Sequence, residues 1–323
     1  MSVLALCVAG PDEPSRGTLE LIRAAKVTAG GKTPAFAGVV GKDSLSIAKR
    51  LAEFDLDEVL VADHPLLDGS VPEAYLEAFL ALSMHTKADV ILLYSCTLAR
   101  DLAPRLALRL AVSCITQCNR IELGEDGRIH FFRAVYGGKA IARLSAQRAV
   151  VTIAPHSFQP AVGTGRQARV QIVHPDISMP SRVAVVRRSQ EQTSGPSLEE
   201  AKIVVGGGRG VGGPDGFALL KELAEILGGA VGASRAATDA GWVPQTLQIG
   251  MTGKRIAPEV YIAVGISGAS QHLTGVAGAG TIVAINTDPD APIFEVAGIG
   301  VVSDFRAVIP ALIREIHRLR KAR

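Results

Sequence analysis

Polar residues follow an apolar run at an unusual place towards the C-terminal end of the chain. The run Tyr261–Val264 leads into Gly265–Gly268, and Ser270, Gln271 and His272 come directly afterwards. A simple turn needs only a pair such as Asn-Gly. Three polar side chains within one turn of a glycine-flanked strand end therefore indicate a ligand at this position.

The same pattern recurs at the ends of other apolar runs in this half of the chain. These runs are followed by glycines, hydroxyl groups, an arginine, an amide and a carboxylate, at Gly208–Gly213, Ser234–Arg235, Gly250–Thr252, Asn286 and Ser303–Asp304. In open parallel sheets, ligands collect at the carboxyl ends of the strands. One polar strand end is ordinary, but five or six of them predict a long cofactor with several polar groups.

The glycine-rich loop is the part of this set that could hold a phosphate. Gly208–Gly213 matches G-x-G-x-x-G and lies between a predicted strand and a predicted helix. Glycine lets the backbone approach a phosphate closely, and a helix N-terminus favours an anion. A standard nicotinamide site also needs an acidic residue about 20 positions further on, where this chain has Ser234 and Arg235. The alternative is a flexible loop with Pro214 in the first helical turn.

Several of these residues also have ordinary structural interpretations. Arg235 could form a surface ion pair, Asp304 could cap the last helix, and His272 alone could be a helix-start residue. No Ser/His/Asp set, Cys/His set or carboxylate pair accompanies the loops. This favours a carrier over an enzyme that transforms a substrate.

Parallel strands are needed to bring these residues together, and the C-terminal sequence has that pattern. It predicts a strand within 201–207, a helix over about Pro214–Leu227, strands near residues 230, 248, 262, 283 and 300, and a last helix over about Asp304–Leu319.

The N-terminal half shows the same alternation. Four short apolar runs, each followed by an amphipathic segment, predict parallel strands joined by crossover helices up to about residue 113. Two extended runs around Asp126-Gly127 then predict a hairpin. Further short β-type runs occupy 140–146, 149–154 and 182–188.

These patterns predict an α/β chain of two domains. Residues 1–190 form an N-terminal α/β domain with a mainly parallel sheet, and residues 200–323 form a doubly wound domain. The segment 191–199, in which Leu198 is the only large apolar residue, is the predicted linker.

Composition excludes several classes of protein. The chain is 48% hydrophobic with a net charge of +3, and its only basic cluster is the C-terminal RLRKAR, so no nucleic-acid surface is expected. No apolar run approaches the roughly 20 residues of a membrane span. Four cysteines, of which Cys114 and Cys118 form C-x3-C without a second pair, predict neither a disulfide framework nor a metal site. We expect a soluble protein of a reducing compartment, the cytoplasm of a bacterium or archaeon.

The segments at these strand ends resemble the FAD-binding domain of electron transfer flavoprotein alpha subunits. Five segments follow the order and spacing of that family: GRG, VGASRAATDAGWVP, TGK, YIAVGISGASQH and TIVAINTDPDAPIF. The resemblance covers nearly all of 200–320. It extends more loosely to the N-terminal half, through LAPRLALRLAV and AVYGGKAIA.

The resemblance implies a cofactor, a fold and partners. The cofactor is FAD, held in a doubly wound fold like the nucleotide-binding fold of deoxyhypusine synthase. The first domain packs against a smaller beta subunit, which carries AMP or a second FAD. Electrons come from acyl-CoA dehydrogenases or similar flavoproteins and pass singly to a membrane quinone oxidoreductase.

The resemblance also implies a position for each site residue. Arg209 and Ser234 contact FAD. At the flavin end, Arg235 lies near the ring, and Ile249, Gly250, Met251 and Thr252 line it, with the Thr252 hydroxyl directed towards N5. Along the cofactor lie Ser267, Gly268, Ala269, Ser270, Gln271 and His272, with His272 at the flavin O2 edge. At the ribose and adenine end lie Asn286, Asp304 and Phe305.

Three of these residues are expected to tune the flavin, namely Arg235, Thr252 and His272. A cation and an imidazole near the N1–C2=O edge would favour negative charge on the ring. Met251 departs from the family, which commonly has Gln there, and a thioether cannot donate a hydrogen bond.

Two other functions remain open on the sequence. The chain could be the alpha subunit of an electron-bifurcating electron transfer flavoprotein that oxidises NADH, with the second FAD in the beta subunit. It could instead be a nucleotide-binding structural subunit with no redox role.

Overall fold

The computed structural model describes residues 1–10, 13–68, 71–124, 127–177 and 196–321. The chain divides into two compact units, Met1–Ser189 and Gln190–Arg323. The boundary between them falls among residues that the structure does not describe. No helix within the described ranges is long and apolar enough to cross a membrane.

The N-terminal unit begins with four strand–helix pairs. They are β1 (Val3–Val8), α1 (Arg16–Ala29), β2 (Ala35–Gly41), α2 (Leu45–Leu51), β3 (Glu58–Asp63), α3 (Pro72–Thr86), β4 (Val90–Tyr94) and α4 (Thr97–Leu110). The remaining strands are β5 (Ser113–Cys118), β6 (Arg120–Leu123), β7 (Ile129–Val135), β8 (Ala140–Ala146), β9 (Ala149–Ile153) and β10 (Arg169–Ile172).

Seven strands of this unit form one parallel sheet in the order β10-β3-β2-β1-β4-β9-β5. The inner strands are mainly apolar because helices cover both faces, and two separate cores result. The chain runs outward from β1 through β2 and β3 and then returns to β4 on the other side of β1. The order of the strands therefore reverses between β1 and β4.

A second, antiparallel sheet of this unit contains β6, β7 and β8. The predicted hairpin is confirmed by the pairing of β6 with β7, while its turn residues Glu125 and Asp126 lie outside the described residues. The β-type run at 182–188 also lies outside them. The sequence did not predict β10, a short edge strand that pairs only with β3.

The C-terminal unit is doubly wound, as predicted. Its elements are β11 (Ile203–Gly207), α5 (Pro214–Leu227), β12 (Ala230–Ala233), α6 (Arg235–Asp239), β13 (Val260–Val264), α7 (Ser270–Val276), β14 (Thr281–Asn286), β15 (Ile299–Val302) and α8 (Phe305–Lys321). Single 3-10 turns cover Arg209–Val211, Gln245–Leu247 and Pro292–Glu295.

The five strands of this unit are all parallel and follow the order β12-β11-β13-β14-β15. The order reverses between β11 and β13, which is the topological switch point of such a sheet. One face packs on α5 and α8 through a core that includes Phe217 and Ile309. The other face carries a second core with Ile249, Tyr261 and Ile293.

Two predictions about this unit differ from the structure. No strand forms near residue 248: Gln248 makes only an isolated bridge with Ala233, because a 3-10 turn precedes it and Gly250 follows at φ 144°. Leu198, assigned to the linker, is buried in the core of the C-terminal unit. The predicted linker lies partly outside the described residues (191–195), and its extent stays a prediction.

Candidate functional site

The five parallel strands of the C-terminal unit end at one edge of the sheet, and the polar residues singled out above follow them there. Neighbouring strands lie about 4.8 Å apart, so the four gaps from β12 to β15 span roughly 19 Å. The loops along this edge can therefore contact a ligand much longer than a single ring.

The glycine-rich loop after β11 and the loop after β13 touch through their backbones at the switch point. Gly208 N–H donates to the Val264 carbonyl (2.9 Å), and Gly210 N–H donates to the Gly265 carbonyl (3.0 Å). Gly265 has φ 59°, and a Cβ added to Gly210 would lie 2.9 Å from its Cα. Only glycines permit this approach, and they leave an open backbone surface where a side chain would otherwise stand.

Ser234 directly follows β12 and lies beside this loop. Its backbone N–H donates to the Gly207 carbonyl (2.9 Å), which fixes the strand end. Its hydroxyl oxygen is buried and has no hydrogen-bond partner among the described residues. Burying a hydroxyl without a partner costs about 1–3 kcal/mol, so this atom is suited to a ligand contact.

The predicted arginines are exposed, unlike Ser234. Arg235 pairs with Asp239 (Nε to Oδ2, 3.2 Å), and its side chain is 68% exposed. The surface ion pair considered from the sequence is therefore present. Arg209 lies in the 3-10 turn of the glycine-rich loop and is exposed as well.

The loop at 249–254 is anchored to two elements. Ile249 N–H donates to the Ala233 carbonyl of β12 (2.8 Å), and Met251 N–H donates to the Gln271 carbonyl of α7 (2.8 Å). Ile249 and Gly250 are buried, whereas the Met251 side chain is 48% exposed. The backbone of Met251 thus has a structural role that does not depend on its side chain.

Two residues that the sequence analysis missed hold Thr252. The Gln248 side-chain nitrogen Nε2 lies 2.9 Å from the Thr252 hydroxyl, and the side-chain oxygen Oε1 lies 3.1 Å from the Thr238 hydroxyl. Gln248 and Thr238 are both buried. A buried amide between two hydroxyl groups restricts the rotamer of Thr252. A glutamine inside an apolar stretch was the only sequence signal of this role.

His272 lies in the first turn of α7 and is 7% exposed. Its Nε2 lies 2.8 Å from the hydroxyl of Tyr261 on β13, a third residue that the sequence analysis missed. Burial lowers the pKa of His272 to about 4, and the Ile249 backbone offsets only part of this shift. The imidazole ring is therefore neutral at neutral pH. Of Arg235 and His272, the two groups expected to tune the flavin electrostatically, only Arg235 supplies a charge.

The residues between β13 and His272 form the outer part of the site. Ser267, Ala269, Ser270 and Gln271 are exposed, whereas Gly268 is buried. The Ser267 carbonyl accepts from Ile293 N–H (3.0 Å), which ties this loop to the segment after β14.

At the far end of the site, the predicted residues contact the protein itself. The Asn286 amide donates to the Ile266 carbonyl (3.0 Å), and its oxygen accepts from Asp288 N–H (3.1 Å). Asp304 accepts from Arg306 N–H (2.8 Å), as expected of a helix cap. The Phe305 ring is buried in the core with α5 and α8. Their contact with a ligand stays a prediction.

The site has the chemistry that a flavin dinucleotide requires. A glycine backbone surface and the N-terminus of the 14-residue α5 can hold phosphates. Two buried polar atoms, Ser234 Oγ and His272 Nδ1, have no hydrogen-bond partner among the described residues. The described ranges contain no group of His, Cys, Asp and Glu residues that could hold a metal ion.

Comparison with known proteins agrees with this geometry. The family profile described as the electron transfer flavoprotein FAD-binding domain matches residues 197–277, and the electron transfer flavoprotein domain matches residues 3–178. A protein named electron transfer flavoprotein subunit alpha from Thermoanaerobacterium thermosaccharolyticum is 42% identical over 287 residues, 87% of each chain. The protein of the same name from Bacillus subtilis is 37% identical, covering 94% of this chain and 93% of its own.

Relatives outside the bacteria show the same likeness. A probable mitochondrial electron transfer flavoprotein subunit alpha from Caenorhabditis elegans is 38% identical over 85% of this chain and 82% of its own. Together with the two family profiles, these likenesses cover both compact units. The chain belongs to the electron transfer flavoprotein alpha subunit family, and its C-terminal unit is an FAD-binding domain.

Proposed function

We propose that this chain carries FAD in an electron carrier between flavoprotein dehydrogenases, such as acyl-CoA dehydrogenases, and a membrane quinone oxidoreductase. The electrons would pass singly. The observation that carries the proposal is the contact of the two glycine backbones at the β11–β13 switch point, together with two buried polar atoms, Ser234 Oγ and His272 Nδ1, that have no hydrogen-bond partner among the described residues.

The bound flavin supplies the redox chemistry, and the protein supplies orientation and charge. The glycine loop would hold the pyrophosphate, with Arg209 beside it. Ser234 and His272 would each make a hydrogen bond to the cofactor that the described part of the chain leaves unmade. Arg235, exposed on α6, would place a positive charge near the ring. These residues bind and tune a cofactor, which is what a carrier needs.

We also propose that a beta subunit completes the protein, since the relatives are named as subunits. The N-terminal unit would supply the contact. Tyr136, between β7 and β8, and Ile141 on β8 are 82% and 56% exposed. Neighbouring exposed apolar side chains of this kind suit a protein interface.

The bacterial relatives support the cytoplasm as the proposed location, which cell fractionation would test.

The proposal is tested on this chain co-purified with its beta subunit. We expect one FAD in this chain, reduced by an acyl-CoA dehydrogenase with its substrate and reoxidised by a quinone oxidoreductase. Reduction of a second flavin by NADH would replace the proposal with the bifurcating function. A folded complex without flavin would indicate a structural subunit. The variant Tyr136→Ser with Ile141→Ser should lose the beta subunit while the isolated chain stays folded.

A further inference from the structure

Tyr261 and His272 form a buried pair within the FAD-binding domain. The Tyr261 side chain comes from β13 and is fully buried, whereas His272 comes from α7 and is 7% exposed. The Tyr261 hydroxyl and His272 Nε2 are 2.8 Å apart, and the two ring centroids are 6.0 Å apart. A hydrogen bond between buried groups fixes the orientation of both rings.

The neighbouring strand leaves room for this tyrosine. Gly206 on β11 lies beside Ala263 of β13 in the parallel register. A Cβ added to Gly206 would overlap the Tyr261 hydroxyl and lie 2.7 Å from its ring carbons. The Tyr261 ring can therefore lie over β11 and reach His272 on α7 only because β11 has a glycine at position 206.

The direction of the hydrogen bond follows from what each atom can do. The buried ring of His272 is neutral, so one nitrogen carries a proton and the other does not. If Nε2 carried the histidine proton, the Tyr261 hydroxyl would accept the hydrogen bond. The proton of the hydroxyl would then need another acceptor. In the described part of the chain the hydroxyl has no second partner. If the hydroxyl donates to Nε2, its proton is satisfied and the histidine proton is on Nδ1.

The second arrangement also suits the cofactor. His272 Nδ1 is buried and makes no hydrogen bond of normal geometry to a described residue. The Ile249 backbone, which partly offsets the lowered pKa of the ring, is the protein group with which a flavin oxygen would compete for this donor. A proton there gives a donor that can bond to an oxygen of the flavin ring without adding a charge to the site. Such a donor stabilises negative charge that develops on its acceptor.

We propose that Tyr261 is a positioning residue that holds His272 with its proton on Nδ1, so that Nδ1–H donates to a ring oxygen of the flavin. The inference rests on the proposed placement of His272 at the flavin ring. Tyr261 does not contact the cofactor in this arrangement and acts only through the imidazole. Its hydroxyl sets which histidine nitrogen faces the flavin as a donor.

The first test is nitrogen NMR of the complex with 15N-labelled histidine, in which His272→Gln assigns the signals of that ring among the seven histidines of the chain. We expect a protonated Nδ1 and a bare Nε2. A protonated Nε2 in the unmodified complex would overturn the proposal. This measurement does not depend on any tyrosine variant folding or on the identity of the electron donor.

The second test is the variant Tyr261→Phe, with reductive titration of the bound FAD. We expect the FAD content to be kept, the His272 ring to become a mixture of tautomers, and the one-electron equilibrium to shift about tenfold towards oxidised flavin. A tenfold shift is about 59 mV for one electron. An unchanged tautomer and an unchanged potential in Tyr261→Phe would contradict the proposal.

Tyr75→Phe is the matched control. Tyr75 is also buried, and its hydroxyl donates to the Leu67 carbonyl (2.9 Å) in the N-terminal unit. It should lose stability and leave the flavin potential unchanged. A complex without FAD, or one whose FAD is not reversibly reduced, would instead count against the proposed function, whatever the NMR shows.

Discussion

The two units of this chain have parallel sheets of similar design, yet their switch points differ. In the N-terminal unit the strand order reverses between β1 and β4, and in the C-terminal unit it reverses between β11 and β13. A crevice at the carboxyl ends of the strands is expected in both. The N-terminal crevice is partly filled by the protein's own side chains, whereas the C-terminal one is lined by backbone and by polar atoms that have no partner among the described residues.

Tyr94 narrows the N-terminal crevice, and a buried acidic residue lies on the adjoining helix α1. The Tyr94 ring lies against the first turn of α1, where a Cβ on Gly17 would be 2.6 Å from it. Glu20 is fully buried and accepts from Arg16 Nε (2.9 Å) and His156 N–H (2.8 Å). The cavity of about 200 Å³ that remains has mostly apolar walls.

This difference shows that strand order alone does not make a binding site. Both sheets provide the crevice, but the residues after the strands decide whether it is filled from within or left to a ligand. Each experiment below changes a residue at or beside one of the two switch points, and the Glu20 variant also asks whether the other is affected.

The largest effect is expected at Gly265, where the two loops of the C-terminal switch point touch. Gly265→Ala would place a Cβ 2.8 Å from the Gly210 carbonyl carbon at φ 59° and force the loops apart. We expect FAD affinity, measured by flavin fluorescence during reconstitution, to fall by about 100-fold or more, which is about 2.7 kcal/mol. The control is Gly228→Ala, also at positive φ (66°) but in open space. Equal FAD loss in the two variants would contradict the role of the contact.

A second effect is expected from His272 in the flavin-free complex. Its pKa in the folded state is about 4, below the ordinary value of about 6.5. The unfolded chain therefore takes up a proton first as the pH falls, and the free energy of unfolding decreases. Between pH 6.5 and 4 we expect a loss of up to about 2.5 kcal/mol. Denaturant titrations should show it, and His272→Gln should remove that part of the pH dependence. An unchanged pH dependence in His272→Gln would refute it.

A smaller effect is expected at the N-terminal switch point. Burial alone would raise the pKa of Glu20, but the hydrogen bonds from His156 and Arg16 outweigh it and lower the pKa. The carboxylate therefore stabilises the fold above its ordinary pKa, and this contribution disappears as the pH falls through the lowered value. We expect Glu20→Gln to reduce the free energy of unfolding by about 2 kcal/mol at pH 7 and to leave FAD affinity unchanged. Reduced FAD affinity in Glu20→Gln would show that the two crevices are not independent.

The smallest effect is expected from Arg235. Because its side chain is 68% exposed and paired with Asp239, water screens its charge. We expect Arg235→Ala to keep most of the FAD and to lower the first reduction potential by less than about 59 mV, a factor of ten in the one-electron equilibrium. Arg318→Ala, which removes an exposed ion-paired arginine of α8, is the control and should not change the potential. An unchanged potential in Arg235→Ala would remove its tuning role.

The sequence predicted the elements better than it predicted their contacts. Apolar runs and amphipathic segments identify β11, α5 and β13 because burial imposes their periodicity. The order of the strands is not local information, so the insertion of β9 between β4 and β5 could not be read from the chain. The strand expected near residue 248 is absent because the bend at Gly250 outweighs the β propensity of that stretch.

At the site, the sequence predicted residue types at strand ends but not their hydrogen-bond partners. Tyr261 is a core residue by every sequence criterion, and its hydroxyl meets His272 only after β13 and α7 have packed. Gln248 likewise acts through its reach to Thr252 and Thr238. Such partners depend on rotamers in the folded core, which no spacing rule gives.

The contact between Gly210 and Gly265 has a consequence for attempts to re-engineer the cofactor preference. It is made of main-chain atoms on both sides, so no compensating side-chain replacement is available if either glycine changes. A variant library should therefore keep these two positions fixed and vary the side chains around them. Met251, whose side chain is exposed while its backbone N–H donates to the Gln271 carbonyl, is a permissive position to start from.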